Sequence, residues 1–410
     1  MPPVQLPPVE FAAVEEEADR LVQEAINAYE EYRAMNRQFP RRMWRRVKSR
    51  GPLTVFCTRS GFETDTPFAE EDLVEPPKKL SRGGVSVLDR LRAATMQVDR
   101  LTQSQSMTRG SIDSNDSLVM MELPSQQQQM TQFVMTGVVP GTMEDAAYGN
   151  IADNPAVWRL RSTYTQDLHH DCKILTTLRH ATKDDPFRFL GVKWSLKNLG
   201  ALLKWRDMVY TESAGVFRDE QGKIHTGYNL MHSIELPGVI PQLTQYGVMR
   251  MQLSCCFVTR RYDENSIEIF CRAFVIPNGF IADRLAALLY AEALLVSVNV
   301  IECANNKKLM WMAHQRRRNN IQYTNQTLAT ATHCQMCLRG LKILGNALKR
   351  SATTCQCCKR ILCGKCKSER EVIVDLTQDG GVTQKALPFC MHCVIEAQAL
   401  PAEEIAILTT

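Results

Sequence analysis

Apolar residues recur at helical spacing near the start of this chain. Phe11, Val14, Ala18, Leu21, Val22, Ala25, Tyr29 and Tyr32 fall on one face, with Glu and Arg opposite. The pattern predicts an amphipathic helix ending before Phe39-Pro40. The basic run from Arg41 to Arg50 (RRMWRRVKSR) reads as a solvated helix end, with contact to acidic lipid as the second reading. A short strand follows at Leu53 to Cys57. From about 60 to 131 the pattern disappears into polar, low-complexity sequence such as SQSMTRGSIDSNDS and PSQQQQ. Such a stretch buries too little surface to offset its ordering entropy and reads as a disordered insertion.

Order resumes at Gln132. FVMTGVV predicts a strand, and Pro140-Gly141 turns it into a helix over Thr142 to Tyr148. Further strands are predicted around Leu190 to Trp194, from Lys204, and from Thr226 to Glu235. Met249 to Arg261 and Ser266 to Ile276, joined by Tyr262 to Asn265, form a hairpin pattern. A long apolar helix is expected from Phe280 to about Ala304. Its most apolar part, Leu285 to Ile301, contains Glu292 and Asn299 and is led by Asp283-Arg284, so it reads as a buried helix rather than a membrane span.

Composition narrows the function. The net charge is +5 and the aromatic share 7%, without the dense basic face and stacking platforms of a nucleic-acid binder. No GxSxG, HExxH or P-loop pattern occurs, so an enzyme is not expected. His169-His170-Asp171 is placed on a probable helix, as surface. Cys255 and Cys256 alternate faces of a strand and form no metal site by themselves. The opening MPPVQLPPVE is not a secretory signal, so the cysteines are expected in a reducing, cytoplasmic setting.

Eight cysteines near the C-terminus form four CxxC pairs, Cys334/Cys337, Cys355/Cys358, Cys363/Cys366 and Cys390/Cys393. In a reducing compartment such pairs hold metal rather than disulfides. Four thiolates make one tetrahedral zinc site, so two structural Zn2+ ions are expected, each closed to a catalytic water. Cys357 is left over as a spare thiol. Between Cys334 and Lys367 stand eight Lys or Arg and no acidic residue. Lys349, Arg350, Lys359 and Arg360 are the candidate membrane contacts, against the simpler reading that these cations offset thiolate charge.

The string CQCCKRILCGKCKS, followed by REVIVDL, a DGG turn and FCMHC, resembles a FYVE-type finger, with a RING-like finger as the neighbouring reading. The resemblance implies interleaved ligands: Cys334, Cys337, Cys363 and Cys366 on one zinc, Cys355, Cys358, Cys390 and Cys393 on the other. The sequence departs from that family where a basic RRHHCR-like run is expected. Ser351 to Gln356 stand there, with Thr353 and Thr354 at the histidine positions, and the upstream WxxD element is missing. Phosphatidylinositol 3-phosphate specificity is therefore not expected.

Upstream, Val192-Lys193-Trp194, the Arg206-Asp207-Met208-Val209 strand start and the closing hairpin and helix resemble START domains, the helix-grip lipid-binding family. The expected fold is α+β: a curved antiparallel sheet with a long C-terminal helix over 10–305, a basic linker at 306–332, the finger at 333–396 and a tail at 397–410. The resemblance implies a lipid tunnel, with Arg206, Asp207 and Arg272 as polar candidates, Trp194 beside them, and Leu285, Leu288, Leu289 and Leu295 as lid residues. A structural ion pair is the alternative for Arg206 and Asp207. The implied function is non-enzymatic lipid binding or sensing, on internal membranes such as endosomes, with lipid, anionic membrane or protein as partner. The alternatives are an adaptor without lipid and a RING-like ubiquitin ligase.

Overall fold

The computed structural model describes residues 7–59, 73–74, 119–120, 131–167, 169–199, 205–236, 239–276, 278, 281–319, 331–341, 352–377 and 381–409. Most of the insertion expected at 60–131 lies outside them.

The predicted amphipathic helix is α1, Pro8–Ala34. Nine strands then build one sheet: β1 (Trp44–Arg50), β2 (Leu53–Thr58), β3 (Thr131–Pro140), β4 (Asp171–Arg179), β5 (Phe189–Asn198), β6 (Trp205–Arg218), β7 (Ile224–Glu235), β8 (Gln252–Asp263) and β9 (Ser266–Ile276). Their order across the sheet is β1-β2-β3-β9-β8-β7-β6-β5-β4, antiparallel at every step. The short pieces Val119–Met120 and Val248–Arg250 pair beside β7 and β6. The expected β8–β9 hairpin is in place. The basic run, by contrast, is no helix end. Arg41 to Met43 form a turn and Trp44 to Arg50 are the edge strand β1, which pairs antiparallel with β2 around a bulge between Arg46 and Lys48.

The two sheet faces carry different layers. On the outer face, Ala18, Val22, Ala25, Tyr29 and Tyr32 of α1 pack on Phe56, Val134, Leu190, Leu230, Val258 and Phe270. The Tyr29 hydroxyl donates to buried Glu268 at 2.7 Å, and Arg37 pairs with the same carboxylate at 2.9 Å. The inner face is covered by α2 (Met143–Asn150), α3 (Pro155–Thr165), α4 (Asp283–Leu295) and α5 (Val300–Arg318). Cys255 belongs to the inner core and Cys256 to the outer one, as strand alternation requires.

Helix α3 and strand β4 give no signal in the sequence reading. Their arrival changes the place of His169. It is buried in the loop before β4, edge-on to Trp158 at 5.4 Å and 3.4 Å from Asp167, which corrects its assignment to a helix surface. His170 packs on Trp205.

The domain boundaries also change. A 3-10 turn, Val296–Asn299, joins α4 to α5. The resulting helical run, Asp283–Arg318, is long and apolar enough to cross a membrane by length and composition, contrary to expectation. Its place, however, is between two protein cores. Val300, Ile301 and Ala304 belong to the inner core. Leu309, Met312 and Ala313 belong to a second core with Cys355, Leu362, Val372, Phe389, Cys393 and Val394 of the finger. Residues 306–319, expected in a linker, are thus the helix that both units share. The finger's hairpin, β10 (Lys367–Leu376) and β11 (Val382–Cys390), leans on α3: the Ile373 amide donates to the Tyr164 hydroxyl at 3.0 Å. Two helices close the chain, α6 (Met391–Gln398) and α7 (Ala402–Thr409). The expected tail is α7, whose Ala402, Ile405 and Ala406 return to the inner core. Lys308, almost fully buried, ties these parts together. It pairs with Asp145 of α2 at 2.7 Å and donates to the Gln398 and Leu400 carbonyls at 2.6 and 3.2 Å.

Helix α2 crosses α5 backbone to backbone at Gly149. A Cβ there would stand 2.1 Å from the Val300 carbonyl oxygen, a backbone atom that cannot rotate away. Gly149→Ala is therefore expected to force the helices apart and cost about 1–3 kcal/mol or more in urea unfolding. An unchanged midpoint would show that α2 is not pinned to α5.

Candidate metal centres and inner chamber

The finger's first two CxxC pairs are knuckles of the same geometry. In each, the residue after the second cysteine has positive φ, Leu338 at 57° and Lys359 at 63°. Its amide donates back to the first cysteine's carbonyl, at 2.8 and 3.0 Å. The amide of each first cysteine donates onward, Cys334 to Arg339 at 2.9 Å and Cys355 to Arg360 at 2.8 Å. The fourth pair sits at the start of α6, where Cys390 caps the helix and accepts from the Cys393 amide. Amide donors toward sulfur favour thiolates. The Cys390 amide points at Cys355 Sγ at 3.3 Å and the Cys393 amide at Cys390 Sγ at 3.4 Å.

The thiols gather as first with third and second with fourth pair. Cys334, Cys337, Cys363 and Cys366 form one tetrad and Cys355, Cys358, Cys390 and Cys393 the other, with all four sulfurs of each within 4.8 Å of one another. Cys337 and Cys363 are 3.8 Å apart and Cys358 and Cys390 3.7 Å. A tetrahedron with metal–sulfur bonds of about 2.3 Å has edges of roughly 3.8 Å. Each tetrad could hold one metal ion, and four cysteine donors would leave it no open position. His392 and Glu396 also approach Cys393, but that thiol already belongs to the second tetrad.

Cys357 is buried beside the second tetrad rather than loose on the surface. Arg316 of α5 donates to its sulfur at 3.5 Å and to Cys393 Sγ at 3.3 Å, and pairs with Glu396. A helix rooted in the sheet domain thus reaches the sulfur shell directly. Of the expected membrane contacts, Lys349 and Arg350 lie outside the described residues. Lys359 and Arg360 are half-buried, and Lys359 donates to the Gln356 carbonyl at 3.3 Å.

The expected pocket residues divide between the two sheet faces. Arg206 is buried on the inner side, donating to the Asn278 carbonyl at 3.3 Å near Tyr290 of α4. Asp207 points the other way. It pairs with Arg250 at 2.6 Å and accepts from Trp194 Nε1 at 3.1 Å, so it is a structural anchor, though not Arg206's partner. Trp194 packs with Val209, Ile234 and Ile240 on the outer side. Arg272 shares the parity of Glu268 and Phe270, which face α1, and lies 4.9 Å from the Phe274 ring. Trp194, Asp207 and Arg272 therefore do not line an inner chamber. On α4 the inward residues are Ala287, Tyr290, Ala291, Leu294 and Leu295. Leu295 faces inward as expected. Leu288 is 46% exposed, and Leu285 and Leu289 are half-buried outside the core. The helix is rotated from the expected setting, with Ala287, Tyr290, Ala291, Leu294 and Leu295 on its buried face.

Other residues mark the inner face. Met231 of β7 and Leu253 and Phe257 of β8 pack toward the helices but stay half-buried, although their strands are central. Beside Met231, Glu212 of β6 is fully buried. It accepts from Arg161 of α3 at 2.6 Å, Lys193 of β5 at 2.8 Å and Asn229 of β7 at 3.4 Å. Lys193 also donates to the Ala152 carbonyl at 2.6 Å and lies over the Trp158 and Phe189 rings. One carboxylate faces two buried cations. Burial pulls the Lys193 ammonium down to about 8 against the pull of Glu212. For Glu212, burial acts upward, but Arg161 and Lys193 outweigh it and hold the carboxyl at about 2. These groups had a signal in the sequence: single charges at inward parity in the apolar runs FLGVKWSL and VYTESAGVF. Next to α2, Ala146, Phe187, Ala214, Gly227 and Tyr228 line a cavity of about 10 Å³, room for about one water.

No protein-family model matches this chain, and no curated protein does. Among solved structures, human StAR-related lipid transfer protein 5 is similar at 12% identity, with 71% of this chain and 97% of that one covered and a TM-score of 0.39. Human STARD10 is similar at 10% identity, covering 66% and 78%, with a TM-score of 0.36. The lipid transfer and protein localization domain of human StarD13 follows at 11%, covering 54% and 98%, with a TM-score of 0.32. These likenesses are too loose to carry a conclusion about ligand or function.

Two outcomes follow from this geometry. Chelating bound metal should lower the melting temperature of the whole described body in one transition, because α5 belongs to both cores. Calorimetry resolving a finger transition apart from an unchanged sheet-domain transition would contradict this. Cys358→Ser should act like chelation, whereas Cys357→Ser should cost little, since a hydroxyl still accepts from Arg316. The second outcome concerns pH. Because Glu212 is held below its ordinary 4.5, its stabilisation is complete above that value and lost as pH falls toward about 2. The stability gap between wild type and Glu212→Gln should narrow across that window in urea titrations.

Proposed function

We propose that the chain is a non-enzymatic lipid-binding protein of START type, its ligand held between the inner sheet face and α4. The observation that carries this reading is the half-burial of Met231, Leu253 and Phe257. Residues facing the helices from central strands would be fully buried in a solid core. Apolar surface left partly open there is what an acyl chain or ring system would cover, at about 25 cal/mol per Å². The charged group of Glu212, Lys193 and Arg161 stands at one margin of that surface, and Arg206 at another. A few fixed polar groups around an apolar space are how such a chamber orients a headgroup.

In the same reading the finger is of FYVE type and holds two structural zinc ions. Its packing favours a buttress for α5 over an independent module. Thr353, Thr354 and Gln356 supply no converging cations for a phosphate monoester, so selective binding of phosphatidylinositol 3-phosphate is not part of the proposal. A peripheral place on internal membranes remains the expected setting.

The test is native mass spectrometry of freshly purified protein, which weighs zinc and retained lipid together. Two zinc ions and a co-purified lipid are expected. Met231→Trp should fill the space, abolish the lipid adduct and leave the melting temperature within a few degrees. No adduct, together with strong destabilisation by Met231→Trp, would mean a solid core. The protein would then be an adaptor on a helix-grip frame.

A further inference from the structure

The two tetrads have the same donors but different surroundings. Cys355, Cys358, Cys390 and Cys393 are all buried, in the core that Leu309, Met312 and Ala313 of α5 help to form. Of the first tetrad only Cys334 is buried. Cys337 is exposed, Cys363 and Cys366 are half-buried, and Leu338 of the same knuckle is 78% exposed. Reaching the second tetrad's sulfurs therefore means parting α5 from the finger. The first already presents Cys337 to solvent, and its opening is local.

The sulfur shells differ as well. Backbone amides donate toward Cys334 and Cys363 as they do toward Cys355 and Cys390, so amide donors do not distinguish the tetrads. Arg316 does. It is buried, and one guanidinium nitrogen donates to Cys393 Sγ at 3.3 Å and Cys357 Sγ at 3.5 Å. Another nitrogen pairs with Glu396 of α6, which fixes the fork and offsets part of its charge. What reaches the sulfurs is thus a held charge-assisted donor. A divalent ion among four thiolates leaves negative charge on the sulfurs. Such a donor draws on that charge and weakens the thiolate as a nucleophile.

We propose that the tetrads are unequal metal sites: the first exchanges its ion with chelators and softer divalent cations such as cadmium, while Arg316 and the α5 core lock the second. Exposed thiolates react and buried ones are inert, and an all-sulfur site favours soft ions. Arg316 is a positioning residue that acts through Cys393 and Cys357. The first tetrad is then where this protein gains or loses metal while its sheet domain stays folded. The fall in melting temperature comes with the second ion. This inference rests on the reading that both tetrads hold zinc.

The experiment counts zinc in the full chain by native mass spectrometry, then follows its transfer to a chromophoric chelator in excess. Two ions are expected, released in two phases that differ about tenfold or more. At the one-zinc stage, maleimide should label Cys334, Cys337, Cys363 and Cys366 and spare the second tetrad, with the melting temperature within a few degrees. Cys337→Ser should arrive with one ion and show the slow phase alone. Arg316→Met should speed the slow phase about tenfold or more and leave the fast one unchanged, whereas a merely loosened finger would speed both. Arg316→Lys, which keeps the charge without the fork, should fall between. If Arg316→Met does not fold, Arg316→Lys and the wild-type labelling order decide. Fewer than two ions in the wild type overturns the zinc reading and this inference with it. Two ions leaving in one phase, labels falling first on the second tetrad, or a wild-type slow phase in both Arg316 variants overturns this inference alone.

Discussion

One helix buried in two cores sets the terms for the rest of this molecule. Val300, Ile301 and Ala304 of α5 lie under the sheet, while Leu309, Met312 and Ala313 lie in the finger. A segment as short as the finger cannot bury enough surface to fold alone. Metal bound at the tetrads would supply part of the deficit, some ten kcal/mol or more, and α5 supplies apolar side chains. The connection is reinforced by polar groups that have no alternative partner in water once buried. Lys308 joins α2 to the end of α6, and Arg316 joins α5 to the sulfur shell. The finger is thus better understood as the far end of the sheet domain's own helix than as a module on a tether.

The inner face is organised by a different constraint, the cost of keeping charge away from water. Two cations and one carboxylate cannot neutralise one another fully, and the burdens differ between the partners. Glu212 is strongly favoured as an anion, while Lys193 is disfavoured as a cation. Carbonyl and ring contacts to Lys193 make up part of the difference. Removing one member leaves the others unpaired, which for buried charges costs about 3–5 kcal/mol. A cluster that expensive to disturb holds β5, β6 and α3 in fixed relation. It gives the apolar surface around Met231 a rigid polar margin.

Much of this was legible in the sequence because it rests on local chemistry. CxxC spacing declares thiol clusters that could hold metal, the α1 periodicity declares its buried face, and the β8–β9 pattern declares a hairpin. The pairing of cysteines came from a family resemblance, and the observed tetrads agree with it. What failed were inferences about which side of an element faces what. Trp194, Asp207 and Arg272 have the composition of a site but the parity of the outer face. Leucines were assigned inward on α4, whereas alanines allow the closer approach to the sheet. Lys307-Lys308 belonged to a stretch read as a basic helical or flexible connector; it is helical, and both lysines are buried, because long stems and carbonyl partners satisfy the ammonium groups. Strand β1 was misread because the six cations of the run from Arg41 to Arg50 outweigh a strand's weak periodicity. Its edge position lets every second one reach solvent or α4.

The break between α4 and α5 gives the two halves of the grip helix unequal attachments. Helix α5 is held by α2, α3, the finger and α7 at once, and a backbone crossing at Gly149 leaves it no slack. Helix α4 is held by Ala287, Tyr290, Ala291, Leu294 and Leu295 in the inner core, beside β1, β2 and β3, and by the partly buried pairs of Glu292. Between them, Val296–Asn299 adopts the tighter 3-10 winding, whose hydrogen bonds are poorer than those of the helices it joins. Moving α5 would open two cores, whereas α4 belongs to the inner core alone. The cysteine tetrads lie at the far end of α5, so metal bound there would strengthen the same anchor.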